Sequence, residues 1–278
     1  MKTQFMYGGC HKLLTVVVKK VEFWYDNSRE IIPGYFISGE KMKLVNQSDT
    51  KEYLQYLEFW LEQLPTVKVS EISPSPSEIA LISVDMIKGF CNFGPLASQR
   101  VNGIIVPVVE LMKALWASGV DQMVLSQDTH EPNAIEFGAW PPHCVRGTAE
   151  AETISEIREL PFFDRILVLE KNSIATGLNA ELMQFIREHP DHKTYIVVGD
   201  CTDLCTYQLA MFLRLDANEH QVFRKVIVPA NCVETYDFSV KDALQAGAVP
   251  HPGDFYHAVF LNHLALNGVE VVAKIISD

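Results

Sequence analysis

Short apolar segments alternate with helical patterns from residue 79 onward, and this alternation limits the possible folds more than any other feature. Apolar runs of strand length lie at 79–84, 123–126, 166–169, 195–198 and 226–228. Segments with helical periodicity lie between and after them, at 108–117, 180–188 and 204–215. Continuous apolar strands joined by helices are typical of a parallel sheet that is covered on both faces. The sequence therefore predicts an α/β domain.

A serine and proline segment at 73–77 divides the chain, because alternating proline and serine cannot continue a helix or a central strand. We predict a small N-terminal α+β module at 1–72, a linker at 73–77 and the main domain at 78–278. The module combines strand patterns at 13–25 and 35–38 with an amphipathic helix that ends at Pro65. The apolar face of that helix consists of Tyr53, Tyr56, Leu57, Trp60, Leu61 and Leu64. A face this large must be covered, so we expect packing against the main domain or a second subunit, and a homo-oligomer.

Acidic residues exceed basic ones, 35 against 23, which gives a formal net charge of −12. A chain with this charge gains nothing from counterion release, which argues against a nucleic acid or an anionic membrane as its partner. The apolar run at 13–18 is too short to span a bilayer, and Lys19 and Lys20 follow it without a cleavage pattern. We therefore expect a cytoplasmic protein whose 6 cysteines are reduced thiols.

Chemically active side chains follow four successive apolar runs. Asp85, Asp128 and Lys171 follow the first three, and the segment 199–205, which contains Cys201 and Cys205, follows the fourth. In an open α/β sheet these positions meet at the carboxyl edge, where ligands bind. A thiol at a helix N-terminus beside an ammonium is a candidate nucleophile, and a carboxylate can take its proton. The alternative is that strand ends attract polar residues, and that a lone helix cysteine is a small apolar core residue.

The loop 128–143 carries acids and imidazoles at close spacing. Asp128, His130 and His143, with Glu136 as a fourth donor, would suit Zn²⁺, or alternatively Mn²⁺ or Fe²⁺. A polar loop of capping and turn residues explains the same spacing equally well. Phe90 and Trp140 are candidates for stacking on an aromatic substrate ring, although large aromatic residues often belong to the core.

Five motifs occur in the order found in isochorismatase-like cysteine hydrolases, and the chain resembles that family over residues 79–274. The motifs are Val84-Asp85-Met86, Gln127-Asp128-Thr129-His130, Trp140-Pro141-Pro142-His143-Cys144-Val145-Arg146-Gly147-Thr148, Glu170-Lys171-Asn172-Ser173 and Cys201-Thr202-Asp203-Leu204-Cys205. The third motif is most similar to nicotinamidases and pyrazinamidases. Several ordered matches are far more specific than any single motif.

The resemblance implies a three-layer α/β/α fold with a mainly parallel sheet, and hydrolysis of a small carboxamide through a thioester. The catalytic triad would be Asp85, Lys171 and Cys205. The oxyanion hole would be formed by the backbone N–H groups of Cys201 and Cys205, beside a cis peptide bond that corresponds to Asp200-Cys201.

The resemblance further implies that Asp128, His130 and His143 bind a metal ion that holds the ring nitrogen of the substrate. Glu136 stands where these enzymes commonly have a third histidine, and its harder oxygen donor would change the metal preference. Asp200 and Cys201 stand where small apolar residues are common. These departures concern the expected identity of the substrate more than the expected catalytic groups.

Two further functions compete with a metal-dependent amidase. One keeps the triad and cleaves a carbamoyl or ureido substrate without metal, and the other is a small-molecule binding protein without turnover. Vinyl-ether hydrolysis is disfavoured because isochorismatases of that type lack the nucleophilic cysteine. The later histidines, His251, His257 and His263, are predicted to have surface or capping roles, and Asp203 is predicted to stabilise a helix N-terminus.

Overall fold

The computed structural model describes residues 36–37, 40–41 and 46–278, and the chain divides into two units at 1–52 and 53–278. In the first unit, β1 (Phe36–Ile37) pairs antiparallel with β2 (Glu40–Lys41). Helix α1 (Gln47–Glu62) begins in this unit and continues into the second. The strand predicted at 13–25 lies outside the described residues.

The second unit contains nine strands and nine further α-helices. The strands are β3 (Thr66–Lys68), β4 (Ile79–Val84), β5 (Gln122–Asp128), β6 (Leu167–Lys171), β7 (Thr194–Asp200), β8 (Lys225–Pro229), β9 (Val233–Glu234), β10 (Glu270–Val272) and β11 (Lys274–Ile276). The helices are α2 (Val69–Ile72), α3 (Lys88–Cys91), α4 (Gln99–Gly103), α5 (Ile105–Ala117), α6 (Ser155–Arg158), α7 (Ala180–Glu188), α8 (Cys205–Glu219), α9 (Val240–Ala246) and α10 (Gly253–Leu266).

The central sheet has the strand order β10-β8-β7-β4-β5-β6, and β9 pairs with β7. Every pairing in this sheet is parallel. At the carboxyl edge, Val84 of β4 lies opposite Ser126 on one side and Gly199 on the other. Asp128 lies opposite Lys171. The prediction of a parallel α/β sheet is confirmed, and its register brings the ends of β4 to β7 together.

Alternate residues of the strands pack into two separate cores, one on each face of the sheet. Leu81 packs with Met112 of α5 on one face, and Ile82 packs with Leu209 of α8 on the other. All six residues of β4 are buried, as expected for a central strand covered on both faces. Burial of each large aliphatic side chain stabilises the fold by about 1.5–3 kcal/mol. The fold is thus a three-layer α/β/α arrangement.

Local sequence signals determine where several helices begin and end. The Asn179 side chain accepts hydrogen bonds from the backbone N–H groups of Glu181 and Leu182, and so caps α7. Helix α5 is followed by Gly119, whose φ of 92° lies in the left-handed region that favours glycine.

No helix in the described ranges is both long and apolar enough to cross a membrane.

The segment before the serine and proline stretch pairs with a strand near the C-terminal end of the chain. Strand β3 pairs in parallel with β11, with Val67 opposite Ile275. Leu57 of α1 is 2% exposed, and Val69 and Ile72 of α2 belong to the same core cluster as Leu81. Residues 53–72 are therefore part of the compact unit that contains the sheet. The three-part division at 1–72, 73–77 and 78–278 stays a prediction, since the structure places its own boundary after Glu52.

Candidate active site

Four chemically active side chains meet at the carboxyl edge of the sheet. Asp85 follows β4, Asp128 and Lys171 end β5 and β6, and Cys205 is the first residue of α8. Asp85 has a positive φ of 55°, and its backbone N–H donates to Ser126 O at 2.8 Å. This turn directs the carboxylate across the end of the neighbouring strand, where the backbone N–H of Asp128 donates to its Oδ1 at 2.7 Å.

The ammonium of Lys171 lies at the centre of this group. Its Nζ is 2.8 Å from Oδ2 of Asp85 and 2.6 Å from Oδ1 of Asp128. The same nitrogen is 3.7 Å from Sγ of Cys205. One oxygen of Asp85, one oxygen of Asp128 and the Cys205 sulfur lie within 4.8 Å of one another. All four residues are buried, so water screens these charges little.

Burial and neighbouring charges set the protonation states of the group. Burial, and next the charge of Asp128, raise the pKa of Asp85 to about 6, although Lys171 opposes this shift. Burial would also raise the pKa of Asp128, but Lys171 and His130 hold it below its usual value. Burial raises the pKa of the Cys205 thiol well above its usual range, and Lys171 acts in the opposite direction. The thiol therefore needs a base, and Asp85 lies within reach of it.

The turn between β7 and α8 presents backbone N–H groups to the same place. The N–H groups of Leu204 and Thr206 donate to Cys201 O at 3.0 and 3.2 Å. Among the hydrogen bonds of residues 46–278, none is donated by the backbone N–H of Cys201 or Cys205. The Asp200-Cys201 peptide bond is cis, as the resemblance implied. Two N–H groups beside a thiol are suited to hold an oxyanion.

Gly199 allows this turn to form. Its φ is 107°, and a Cβ built on it would lie 1.9 Å from Val84 O of the neighbouring strand. No other residue type fits there without separating β4 from β7.

A second group of side chains adjoins the first through Asp128. One donor atom from each of Asp128, His130 and His143 lies within 4.8 Å of the other two. Nδ1 of His130 is 3.0 Å from Asn172 Oδ1, and Nδ1 of His143 is 2.8 Å from Pro141 O. Since both partners are carbonyl oxygens, each Nδ1 carries the proton and each Nε2 keeps its lone pair.

The donor set fits a divalent metal ion. His130 Nε2 is buried and makes no hydrogen bond within the described residues. It lies 3.6 Å from Oδ1 of Asp128 and 3.9 Å from Oε1 of Glu136. Two imidazole nitrogens and one or two carboxylates suit Zn²⁺ and its neighbours in the first transition row. The hydrogen bonds on each Nδ1 also match the way metal-binding histidines are normally oriented.

Both groups open into one cavity of about 1200 Å³. The cavity is lined by most of the side chains selected from the sequence, namely Asp85, Phe90, Asp128, Glu136, Trp140, His143, Cys201 and Cys205. Phe90 packs against His143, with ring centroids 5.6 Å apart. Lys171 and His130 lie behind this wall and contact the lining residues. The structure therefore brings together every candidate residue of the sequence analysis.

Another part of the cavity wall contains residues that sequence reasoning missed. The ring of His251 is stacked between Tyr236 and Tyr256, with centroid distances of 3.8 and 4.4 Å. Its Nε2 lies 2.8 Å from Oδ2 of Asp203, and Asp203 also accepts a hydrogen bond from the Thr235 hydroxyl. The surface or capping role predicted for His251 is wrong, because the residue is only 7% exposed. Asp203, which is predicted to stabilise a helix N-terminus, lies two residues before α8 and forms no side-chain cap hydrogen bond there.

Sequence spacing gave no signal for this wall, because its rings come from separate segments that only the tertiary fold joins. For the other two histidines, Nδ1 of His257 lies 2.9 Å from the Thr202 hydroxyl. Nδ1 of His263 lies 2.8 Å from the Tyr207 hydroxyl.

Comparison with known proteins gives consistent results. A family model for the isochorismatase domain matches residues 79–272. Nicotinamidase 1 of Arabidopsis thaliana is 29% identical over 216 residues, which are 72% of this chain and 87% of the plant protein.

Two solved structures show the likeness in fold. The pyrazinamidase of Pyrococcus horikoshii in complex with zinc has a TM-score of 0.54 at 24% identity, over 70% of this chain and 98% of that chain. The N-carbamoylsarcosine amidase from Thermoplasma acidophilum has a TM-score of 0.51 at 23% identity, over 70% of this chain and 95% of that chain.

Proposed function

Because the chain belongs to the isochorismatase family of hydrolases, we propose that it is a cysteine amidase that cleaves a small, nicotinamide-like carboxamide through a thioester. The observation that carries this proposal is the position of Lys171 Nζ, which contacts Asp85 and Asp128 and lies 3.7 Å from Cys205 Sγ. A binding protein without turnover has no need of a buried ammonium, a base and a thiol at one point of a cavity.

The first step is attack by Cys205 on the amide carbonyl carbon. Asp85 accepts the thiol proton as the C–S bond forms, and the ammonium of Lys171 stabilises the developing thiolate. The raised pKa of Asp85, about 6, suits a base that must later return its proton. The carbonyl oxygen becomes an oxyanion, which the N–H groups of Cys201 and Cys205 hold.

Collapse of the tetrahedral intermediate then breaks the C–N bond. The proton on Asp85 passes to the leaving nitrogen, which departs as ammonia, and the acyl group remains as a thioester on Cys205. A water molecule gives a proton to Asp85 and attacks the thioester carbonyl carbon. Cleavage of the C–S bond releases the carboxylic acid, and Asp85 passes its proton to the sulfur, which restores the thiol and the carboxylate.

Asp128, His130 and His143, with Glu136 beside them, are the residues that would hold a divalent metal ion. When bound, such an ion supplies a Lewis-acid site that fixes a ring nitrogen and thereby orients the amide. Asn172 and the Pro141 carbonyl keep the two imidazoles in the tautomer that binds metal. Phe90 and Trp140 line the cavity beside this group and would stack on a planar ring.

The deciding experiment is a screen of small amides for ammonia release, with and without a chelator. We expect release from nicotinamide or a close analogue, and loss of activity when the metal is removed. Turnover of carbamoyl or ureido compounds that is insensitive to chelator would instead favour the metal-independent hydrolase. Absence of turnover, together with a Cys205 thiol that does not react at neutral pH, would favour the binding protein.

A further inference from the structure

Asp200 is a buried carboxyl group on the cavity wall for which the proposed reaction has no role. It is the last residue of β7, it is 2% exposed, and it lines the cavity together with Phe90 and Cys205. Its Oδ2 lies 3.7 Å from the Cys201 thiol, which donates to it. Its Oδ1 is buried and makes no hydrogen bond among residues 46–278. Buried polar atoms normally have partners, so this atom needs an explanation.

The surroundings of Asp200 favour its neutral form. Burial, followed by the charge of Asp85, raises the pKa of Asp200 well above its usual range, and Lys171 opposes this shift only in part. A neutral carboxyl group has one O–H donor. Because Oδ2 accepts from Cys201, Oδ1 is the atom that carries the proton. With the proton on Oδ1, a residue of the cavity wall has a hydrogen-bond donor that no group among residues 46–278 accepts.

The position of Asp200 along the chain indicates which part of a substrate it meets. The next residue is Cys201, whose backbone N–H would hold the carbonyl oxygen of the amide. The Asp200 side chain thus lies on the part of the wall next to the residue that would hold the carboxamide. Phe90, which lines the same cavity, is suited to stack on a flat ring.

We propose that Asp200 is a specificity-determining residue, whose Oδ1 donates a hydrogen bond to an acceptor atom on the acyl group of the substrate, next to the carboxamide. This inference rests on the proposed amidase function. Among planar carboxamides, it predicts a preference for those with a nitrogen or oxygen acceptor at the position next to the carboxamide-bearing carbon.

Nicotinamide and pyrazinamide form a matched pair of probes, because both have a ring nitrogen meta to the carboxamide and only pyrazinamide has a second one ortho to it. We would measure the dissociation constants of both amides by calorimetry in a Cys205→Ala background, with and without Asp200→Leu. In parallel, kcat/KM for ammonia release would be measured in proteins that retain Cys205.

Asp200→Leu keeps the number and branching of the side-chain heavy atoms and removes the donor, so we expect the preference for pyrazinamide over nicotinamide to fall about 5-fold in both measurements. Asp200→Asn retains a donor and should keep most of the preference. Asp200→Ala removes the donor without adding bulk and should behave as Asp200→Leu does. A purely structural role would weaken the binding of both amides equally and leave their ratio unchanged.

The outcomes separate this inference from the proposed function. A ratio that is the same in the parent and in the Leu and Ala variants overturns the role of Asp200, even if ammonia is released normally. A ratio that depends on Asp200 in binding, without ammonia release by proteins that retain Cys205, supports the role of Asp200 and overturns the amidase. Failure of the parent site to bind either amide overturns both.

Discussion

At the scale of single residues, Lys171 links the two halves of the site. Its ammonium forms ion pairs with both Asp85 and Asp128, and Asp128 also belongs to the group that would bind metal. Loss of one partner from a buried ion pair typically costs about 3–5 kcal/mol, because the other charge stays buried without compensation. The proposed base, the proposed nucleophile and the candidate metal ligands are therefore coupled through Lys171, and variants of one group should affect the others.

Cys205 offers the most direct test of the mechanism. Cys205→Ala and Cys205→Ser should lower the rate of ammonia release by roughly 1000-fold or more, because binding alone cannot replace the nucleophile. Circular dichroism should show an unchanged fold, since each change removes or replaces a single atom. A folded Cys205→Ala protein that still releases ammonia at nearly the parent rate would contradict the assignment.

The role of Lys171 can be tested by measuring the reactivity of the Cys205 thiol. The ammonium favours the thiolate and so lowers the pKa of Cys205 against the effect of burial. In Lys171→Met that influence is lost, the thiol pKa rises, and the pH profile of alkylation by iodoacetamide should move to higher pH. The rate at neutral pH falls as a consequence. A profile that stays in place in a folded Lys171→Met protein would remove Lys171 from this role.

Glu136 should influence which metal ion is bound. Its Oε1 lies 3.9 Å from Nε2 of His130, so Glu136→His would place a third imidazole near the ion. Nitrogen ligands favour Zn²⁺ over Mn²⁺, and we expect the ratio of bound zinc to bound manganese to rise by about 10-fold in competition experiments.

Glu136→Gln is the control for loss of the negative charge, because it keeps an oxygen donor. Elemental analysis of the purified proteins measures both ratios. An active parent protein without metal, insensitive to chelator, would instead support the metal-independent alternative.

At the scale of secondary structure elements, the apolar runs predicted the central strands, but their polar ends were missed. The run at 123–126 predicts a strand that the structure extends to Asp128, because Asp128 pairs with Lys171 in the ladder between β5 and β6. Strands β3, β9, β10 and β11 have only two or three residues each. Their pairing partners are distant in sequence, so local patterns contain no signal for them.

The candidate site was likewise predictable from the sequence only in part. The grouping of Asp85, Lys171 and Cys205 was predictable because each of them closes or follows a recognisable strand, and the connections of a parallel sheet bring those ends together. The stacking of His251, and the lack of a partner for Asp200 Oδ1 among residues 46–278, were not predictable in the same way. Their roles depend on side-chain contacts that only the folded chain specifies.

The close approach of β4 and β7 leads to a prediction for Gly199. A Cβ at this position would lie 1.9 Å from Val84 O, and a backbone atom cannot move aside as a flexible side chain can. Gly199→Ala should therefore lower the free energy of unfolding by about 3 kcal/mol or more and displace the turn that carries Cys201.

Gly119→Ala is the matched control, since Gly119 also has a positive φ, 92°, but its nearest neighbour is Pro76 at 3.6 Å. We expect a loss of about 1 kcal/mol there, from backbone strain alone. Urea denaturation measures both values. Equal losses in the two variants would show that the clash with β4 is relieved by relaxation of the strands.

At the scale of the whole molecule, residues 53–72 are part of the sheet-containing unit, although they precede the serine and proline stretch. Strand β3 forms a two-stranded parallel sheet with β11, and α2 buries two side chains in the main core. A truncation that is meant to leave the sheet-containing unit intact must therefore keep residues 53–72. Removal of residues 1–72 takes away these elements, whereas removal of residues 1–45 leaves every contact between residues 53 and 278 in place.

Deletion of residues 1–72 should therefore destabilise the protein far more than deletion of residues 1–45. The longer deletion removes Leu57, Val69 and Ile72, which are 2%, 3% and 6% exposed. Burial of each contributes about 1.5–3 kcal/mol, so the summed loss approaches the whole stability of an ordinary domain, about 5–15 kcal/mol. We expect aggregation or a changed oligomeric state after the longer deletion. Urea denaturation and light scattering would measure these effects.

The chemical step should be less sensitive than stability to the N-terminal segment, because the triad and the candidate metal ligands all lie after residue 77. The shorter deletion should keep kcat for ammonia release within about 3-fold of the parent value, since no group that contacts the reacting atoms is removed. A protein lacking residues 1–45 that stays monodisperse, keeps the parent oligomeric state and yet loses all activity would contradict this expectation. It would assign part of the active site to the N-terminal segment, with the fold of residues 53–278 intact.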